Sequence, residues 1–143
     1  MKNKDKVIIV LRAIIVKDDR ILLVKRDEND RWMPGRWELP GGKADEGENL
    51  EETFEREVLE EVGLNIENPS FIFSFMRDME DGSAQYKGKK YKVLYYECIP
   101  KTLDVKLSPE HEEILWATQR DIAGLSLTFG TIDAINKFFK LQK

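Results

Sequence analysis

The chain has little of three things that enzyme chemistry often leans on: cysteine, histidine and surplus positive charge. One cysteine in 143 residues, Cys98, excludes an internal disulfide and a cysteine-rich metal site, fits a reducing cytoplasm, and leaves packing as the role of its thiol. One histidine, His111, excludes a metal centre built from imidazoles, and any Ser-His or Cys-His nucleophilic pair would depend on it alone. It follows Pro109 and Glu110 in a polar run with no nucleophile beside it, so a surface position is expected. Lys and Arg number 23 against 27 Asp and Glu, a formal net charge of −4. With a pI near 5.2 the chain lacks the basic field that displaces counterions from DNA or RNA, which excludes a polynucleotide partner. A small phosphorylated ligand stays open, because bound metal ions can supply positive charge locally.

Long hydrophobic runs are also scarce. Residues 7–16 follow a basic start and superficially resemble a secretory signal, but Arg12 interrupts the run and no small-residue cleavage site follows. It is also shorter than the roughly 20 residues a bilayer-spanning helix needs, so it reads as a central strand of a cytoplasmic protein with no membrane partner. Neither a low-complexity tract nor an internal repeat is visible. A composition 41% hydrophobic and 35% charged then suits one soluble domain over residues 1–143.

What the chain does have is a stretch at residues 41–64 where two glycines lead through an acidic loop into an acidic helix. At about 100° per residue, Glu57, Glu60 and Glu61 share roughly a third of the helix circumference and are expected to converge on one small volume. Leu50, Phe54, Val58 and Val62 form an adjoining apolar stripe that can dock on a sheet. Asn49 is placed to cap the N-terminus with Glu52 as reciprocal partner, and Gly63 suits a left-handed residue past the C-terminus. Like charges at 57 and 61 disfavour an isolated helix, and Arg56 is its single cation. A hard divalent cation, which binds through a few carboxylates and keeps water and phosphate as its other ligands, would supply the missing charge. Gly41 and Gly42 permit main-chain approaches that side chains forbid, useful beside a metal or phosphate.

The run Gly42, Glu48, Arg56, Glu57, Val58, Glu60, Glu61, Gly63, Leu64 resembles the signature box of the Nudix hydrolases at every fixed position, and the lead-in at residues 37–42, Trp-Glu-Leu-Pro-Gly-Gly, resembles the family's usual approach to it. That resemblance implies Mg²⁺ or Mn²⁺ held by Glu57, Glu60 and Glu61 with the Gly41 carbonyl. It implies that Arg56 orients the carboxylates and that Glu48 pairs with Arg56 or reaches a metal through water. It also implies a glutamate as general base, either Glu60 or Glu61 in the box, or one of Glu113, Glu112 and Glu110 downstream. Homodimers are common among such relatives.

The remaining segments fit the fold class the resemblance implies, an α+β domain with a mixed sheet between helices, an α/β/α sandwich. Strands are expected at residues 7–16, 21–25, 71–76 and 91–98, with a long polar connection from Asp78 to Lys90 able to shape a pocket. A short strand should carry Ile114 and Trp116 on one face, and a helical turn should follow at 119–124. Thr131 is expected to cap a last helix buried through Ile132, Ile135, Phe138 and Phe139. Of the cations ahead of the box (Lys25, Arg26, Arg31, Arg36), Arg36 lies nearest the glycines and is the first candidate for phosphate contact. Trp32 is a candidate base-stacking surface, whereas Trp37 reads as packing.

The function these features predict is metal-dependent hydrolysis of a phosphoanhydride bond in a nucleoside diphosphate linked to another group. A nucleoside triphosphate, oxidised forms included, is favoured because the downstream markers of relatives that hydrolyse ADP-ribose, dinucleoside polyphosphates or NADH are not found in residues 65–90; ADP-ribose or another nucleotide sugar is the alternative substrate. A non-catalytic nucleotide-sensing or protein-binding module is the alternative of another class, against which stands a box that has lost none of its glutamates.

Overall fold

The computed structural model describes residues 7–45, 47–78, 90–102, 105–106 and 111–142. Seven strands and three helices run along these segments: β1 (Val7–Lys17), β2 (Arg20–Arg26), β3 (Trp37–Glu38), β4 (Gly41–Lys43), α1 (Leu50–Val62), β5 (Ile66–Asp78), β6 (Lys90–Pro100), β7 (His111–Ala117), α2 (Gln119–Ile122) and α3 (Phe129–Leu141). The long connection expected between β5 and β6, and Glu110, fall largely or wholly outside the described residues, as do the side chains of His111 and Glu112.

β1 is the trunk. Nine residues, Val7 to Ile15, pair in parallel with β6, and β5 adds to β6 in antiparallel register. On its other side β1 changes partner: Val10, Leu11 and Arg12 pair with β4, whereas only Val16 and Lys17 pair with β2 across the Asp18-Asp19 turn. Between those contacts β1 and β2 splay apart. The segment that fills the gap is 37–43, whose start pairs with β2 and whose end pairs with β1. β7 completes the sheet on β2.

Period-two alternation assigns the faces of the trunk. Leu11, Ala13 and Ile15 with Leu22 and Val24 pack under Phe54, Val58 and Val62 of α1, while Ile14, Leu23 and Tyr95 pack under Ala134, Ile135 and Phe138 of α3. The result is the expected mixed sheet between helices. Ile114 and Trp116 share the α1 face as the alternation required.

Three local readings need correction or refinement. β5 starts at Ile66, five residues before the apolar run that marks it, because Glu67 to Ser70 pairs through an irregular register with Asn68 at φ 45° and Pro69 at the break. α3 starts at Phe129 with Thr128, not Thr131, as N-cap, since the Thr128 N–H is already held by the Trp37 carbonyl at 2.9 Å. Thr131 instead shares a 2.7 Å hydroxyl contact with Thr128 inside the first turn. Ile132 is 42% exposed, and Ala134 joins Ile135 and Phe138 in the core.

Candidate active site

Helix α1 begins as its sequence demands. The Asn49 carboxamide oxygen accepts from the Glu51 and Glu52 N–H groups at 3.0 and 3.1 Å, so Glu52 serves the cap through its main chain, and Gly63 closes the helix at φ 69°. Phe54 and Val58 are fully buried and fix the helix roll, Phe54 stacking 4.8 Å from Tyr96. That roll turns Glu57 and Glu61 toward the glycine strand β4.

Both glycines are required there, for different reasons. A Cβ on Gly41 would lie 1.9 Å from the Leu11 carbonyl oxygen, so this position is glycine because β4 crosses β1 at close range. A Cβ on Gly42 would lie 2.4 Å from Glu57 Oε2 and 2.7 Å from its Cδ, so this position is glycine because the carboxylate rests on it. Glu61 is buried at 8% exposure and accepts from the Gly41 N–H at 3.3 Å.

Glu60 behaves differently from its neighbours. Arg56 Nη1 donates to both Glu60 oxygens at 3.3 and 3.2 Å, and the pair lies toward solvent. Arg56 also reaches Glu48 at 3.2 Å and Glu57 at 3.3 Å, making it the hub for three box carboxylates. Glu57 and Glu60 thus meet at Arg56 Nη1 while Glu61 turns to the Gly41 N–H, and among the described residues no three Asp, Glu, His or Cys side chains already form an ion cage. Arg56 captures Glu60 at i+4, and Glu60 stands about 100° around the helix from Glu61.

Charge effects follow this placement. Burial holds the Glu57 carboxyl above its ordinary pKa; Arg56 opposes that, and Glu60, Asp45 and Glu48 add to it. The Glu48 carboxyl is pulled below its ordinary value, desolvation being outweighed by the Asp45 N–H and by Arg56. A hard-oxygen donor set, two carboxylates seated against one glycine pair that leaves room for them, fits a divalent cation.

Beside the carboxylates opens a cleft of about 480 Å³ lined by Arg12, Arg26, Asp27, Asp30, Glu38 and Glu61, among others. Within its lining Glu38, 3% exposed, accepts from Arg26 Nη1 at 3.2 and 3.0 Å and lies 3.8 Å from Arg12 Nη2. Arg26 also donates from Nε to the Trp32 carbonyl at 2.9 Å, reaches Asp30 at 3.0 Å, and lies over the Trp32 ring. Arg12 donates to the Leu39 carbonyl at 3.1 Å. Burial works against the Arg12 cation, yet Glu38 and Glu61, with Tyr95 and Tyr91 behind them, keep its pKa above the ordinary value.

The other candidates find separate places. Arg36 lies over the Phe129 ring at the start of α3 at 5.7 Å, and it is Arg12 and Arg26 that line the cleft. Trp37 packs in the α3-side core, its N–H and carbonyl bound to Ser126 and Thr128. Glu113 is exposed and 3.6 Å from Lys25 across the β2–β7 pairing. Cys98 is buried, which pushes its thiol up to about 12 and leaves it a packing group. Arg12 and Glu38 are the residues that reading the sequence missed as site members. The available signal was a lone cation inside a strand read as central, since such a charge needs a buried partner.

Among the described residues no helix is long and apolar enough to cross a membrane. A profile of the NUDIX domain matches residues 7–136. The nucleoside triphosphatase NudI of Escherichia coli O81 (strain ED1a) is 30% identical over 126 residues, covering 85% of this chain and 89% of that protein. Two solved structures share the fold along nearly their whole lengths. The MutT Nudix hydrolase of Burkholderia pseudomallei has a TM-score of 0.77 and 28% identity over 92% of this chain and 98% of its own. The MutT protein of Methanosarcina mazei Go1 has a TM-score of 0.73 and 30% identity over 97% of each. With its complete signature box folded around a glycine strand beside an arginine-lined cleft, the chain belongs to the Nudix family of phosphoanhydride hydrolases, enzymes that generally require a divalent metal ion.

Proposed function

We propose that the protein hydrolyses a nucleoside triphosphate, oxidised or otherwise non-standard forms included, to the nucleoside monophosphate and pyrophosphate. The observation that carries this reading is the seating of Glu57 and Glu61 on Gly42 and Gly41 at the edge of the arginine-lined cleft. Similarity over 89% of a nucleoside triphosphatase supports the choice of substrate class. Glu57, Glu61 and the Gly41 carbonyl, joined by Glu60, would hold the ion, Mg²⁺ or Mn²⁺. When bound it would neutralise phosphate oxygens and lower the pKa of a water. Arg56 keeps Glu48 and Glu60 oriented around Glu57. A box carboxylate, Glu60 or Glu61, takes the proton as water attacks phosphorus, and the attacked phosphoanhydride bond breaks with its electron pair leaving on pyrophosphate. Trp32, already beneath Arg26, offers a ring near the cleft for a base.

The test is turnover of a panel of standard and oxidised triphosphates, ADP-ribose, nucleotide sugars and dinucleoside polyphosphates with each metal and with chelator. Monophosphate plus pyrophosphate from a triphosphate, abolished by chelator, is expected. Ribose phosphate plus AMP would replace the substrate assignment. No turnover with either ion would favour a binding module.

A further inference from the structure

One part-buried cation of the site, Arg12, belongs to β1 rather than to the signature box. Arg12 and Ala13 are consecutive residues of one strand, and they grip consecutive carbonyls of the segment that crosses from β2 to β1. Arg12 Nη1 donates to the Leu39 carbonyl at 3.1 Å, and the Ala13 N–H donates to the Pro40 carbonyl at 2.8 Å. The next peptide is that of Gly41, whose N–H donates to Glu61 at 3.3 Å and whose residue stands opposite Arg12 in the β1–β4 register. Glu38, pinned by pairing with Val24, holds the other side of the Arg12 guanidinium at 3.8 Å.

We propose that Arg12 is a positioning residue for the cation site, fixing the Leu39-Pro40-Gly41 main chain and the Glu61 carboxylate, with Glu38 as its anchor. A guanidinium suits this task because its fixed fork bonds a carbonyl and a carboxylate in different directions at once; an ammonium carries the charge without the geometry. Its effect reaches the reaction through Gly41 and Glu61, so it belongs with the outer-shell groups whose loss typically weakens metal binding or activity about 10- to 100-fold.

This inference rests on the hydrolase reading, and its first measurement needs no substrate: Mn²⁺ binding to the full chain by titration calorimetry, with Arg12→Met, Arg12→Lys and Glu38→Gln beside wild type. Arg12→Met is expected to weaken Mn²⁺ binding by about tenfold or more. It should lower kcat on the triphosphate that the panel identifies while leaving KM near wild type, the sign of lost positioning rather than lost substrate contact. Arg12→Lys should recover only part of both, and Glu38→Gln should weaken both while keeping the cation. If Arg12→Met fails to fold, Arg12→Lys carries the test, since Glu38 also bonds Arg26.

Three results overturn the proposal while leaving the hydrolase reading intact. One is unchanged Mn²⁺ affinity and kcat in folded variants, which makes Arg12 structural only. Another is a rise in KM alone, which makes it a substrate contact. The third is full recovery in Arg12→Lys, which makes charge sufficient. Wild-type protein that neither binds Mn²⁺ nor turns over any substrate overturns both.

Discussion

Replacing Gly42 with alanine separates catalysis from folding more sharply than any glutamate substitution. The new Cβ would lie 2.4 Å from Glu57 Oε2, where ordinary contact begins near 3.4 Å, so the carboxylate must retreat by about 1 Å. Nothing else need move, because the group struck is the end of a flexible side chain and the φ of Gly42 is not in the positive region. Stability should therefore stay within about 1 kcal/mol of wild type, aided by the lower chain entropy of alanine in the unfolded state. Turnover should not survive so well. Misplacing a reacting group by 1 Å can cost about 100-fold, or roughly 2.7 kcal/mol of activation free energy. The assay is kcat on the triphosphate with saturating Mg²⁺, with Tm measured by circular dichroism on the same samples. Gly41→Ala is the control of opposite kind, since its Cβ would strike the β1 main chain at 1.9 Å and should cost folding itself. If Gly42→Ala kept wild-type kcat and Mn²⁺ affinity, Glu57 would not work from the position it occupies here.

Other expectations follow from the same geometry. Phe54→Ala empties a fully buried site against Tyr96 and should cost about 3–5 kcal/mol in urea unfolding; a loss under about 1 kcal/mol would contradict the packing that sets the roll of α1. Because the folded Glu57 pKa is raised, folding stability from this group is fully present below the ordinary carboxylate value of 4.5 and is lost as pH rises through the folded value. Cation binding needs the ionised form and runs the other way, so Mn²⁺ affinity should climb with pH over a range lying above 4.5, and a climb completed below that value would refute the shift. Glu113→Gln removes an exposed partner of Lys25 and should change stability by no more than about 0.5 kcal/mol and leave kcat as it was; a collapse of kcat would move the general base out of the box.

The signature helix was legible in the sequence because everything that shapes it is local. Its Asn49 cap, its left-handed stop and its buried stripe all act within one or two turns and are kept in the structure, although the expected reciprocal bond from the Glu52 side chain is not formed. The strand trunk was legible for a related reason: an apolar run too continuous for one wet face had to be central, whatever its partners. Where such cues are shared with distant residues, the reading slipped. Thr131 is the expected cap of α3, but the helix begins after Thr128, whose N–H is held by the carbonyl of Trp37, 91 positions earlier in the chain.

Helical spacing by itself determined that Glu57, Glu60 and Glu61 lie on neighbouring faces of one helix. Only the tertiary structure decided that Glu57 and Glu61 meet the glycine strand, because that depends on the roll imposed by Phe54 and Val58 against the sheet. The pairing of Arg12 with Glu38 and Leu39 was beyond any local reading. It exists because β1 and β2 splay and a third segment threads the gap, bringing together residues 26 and 27 positions apart in the chain. Periodicity is a property of one element, but a buried charge finds its partner through the way several elements are joined.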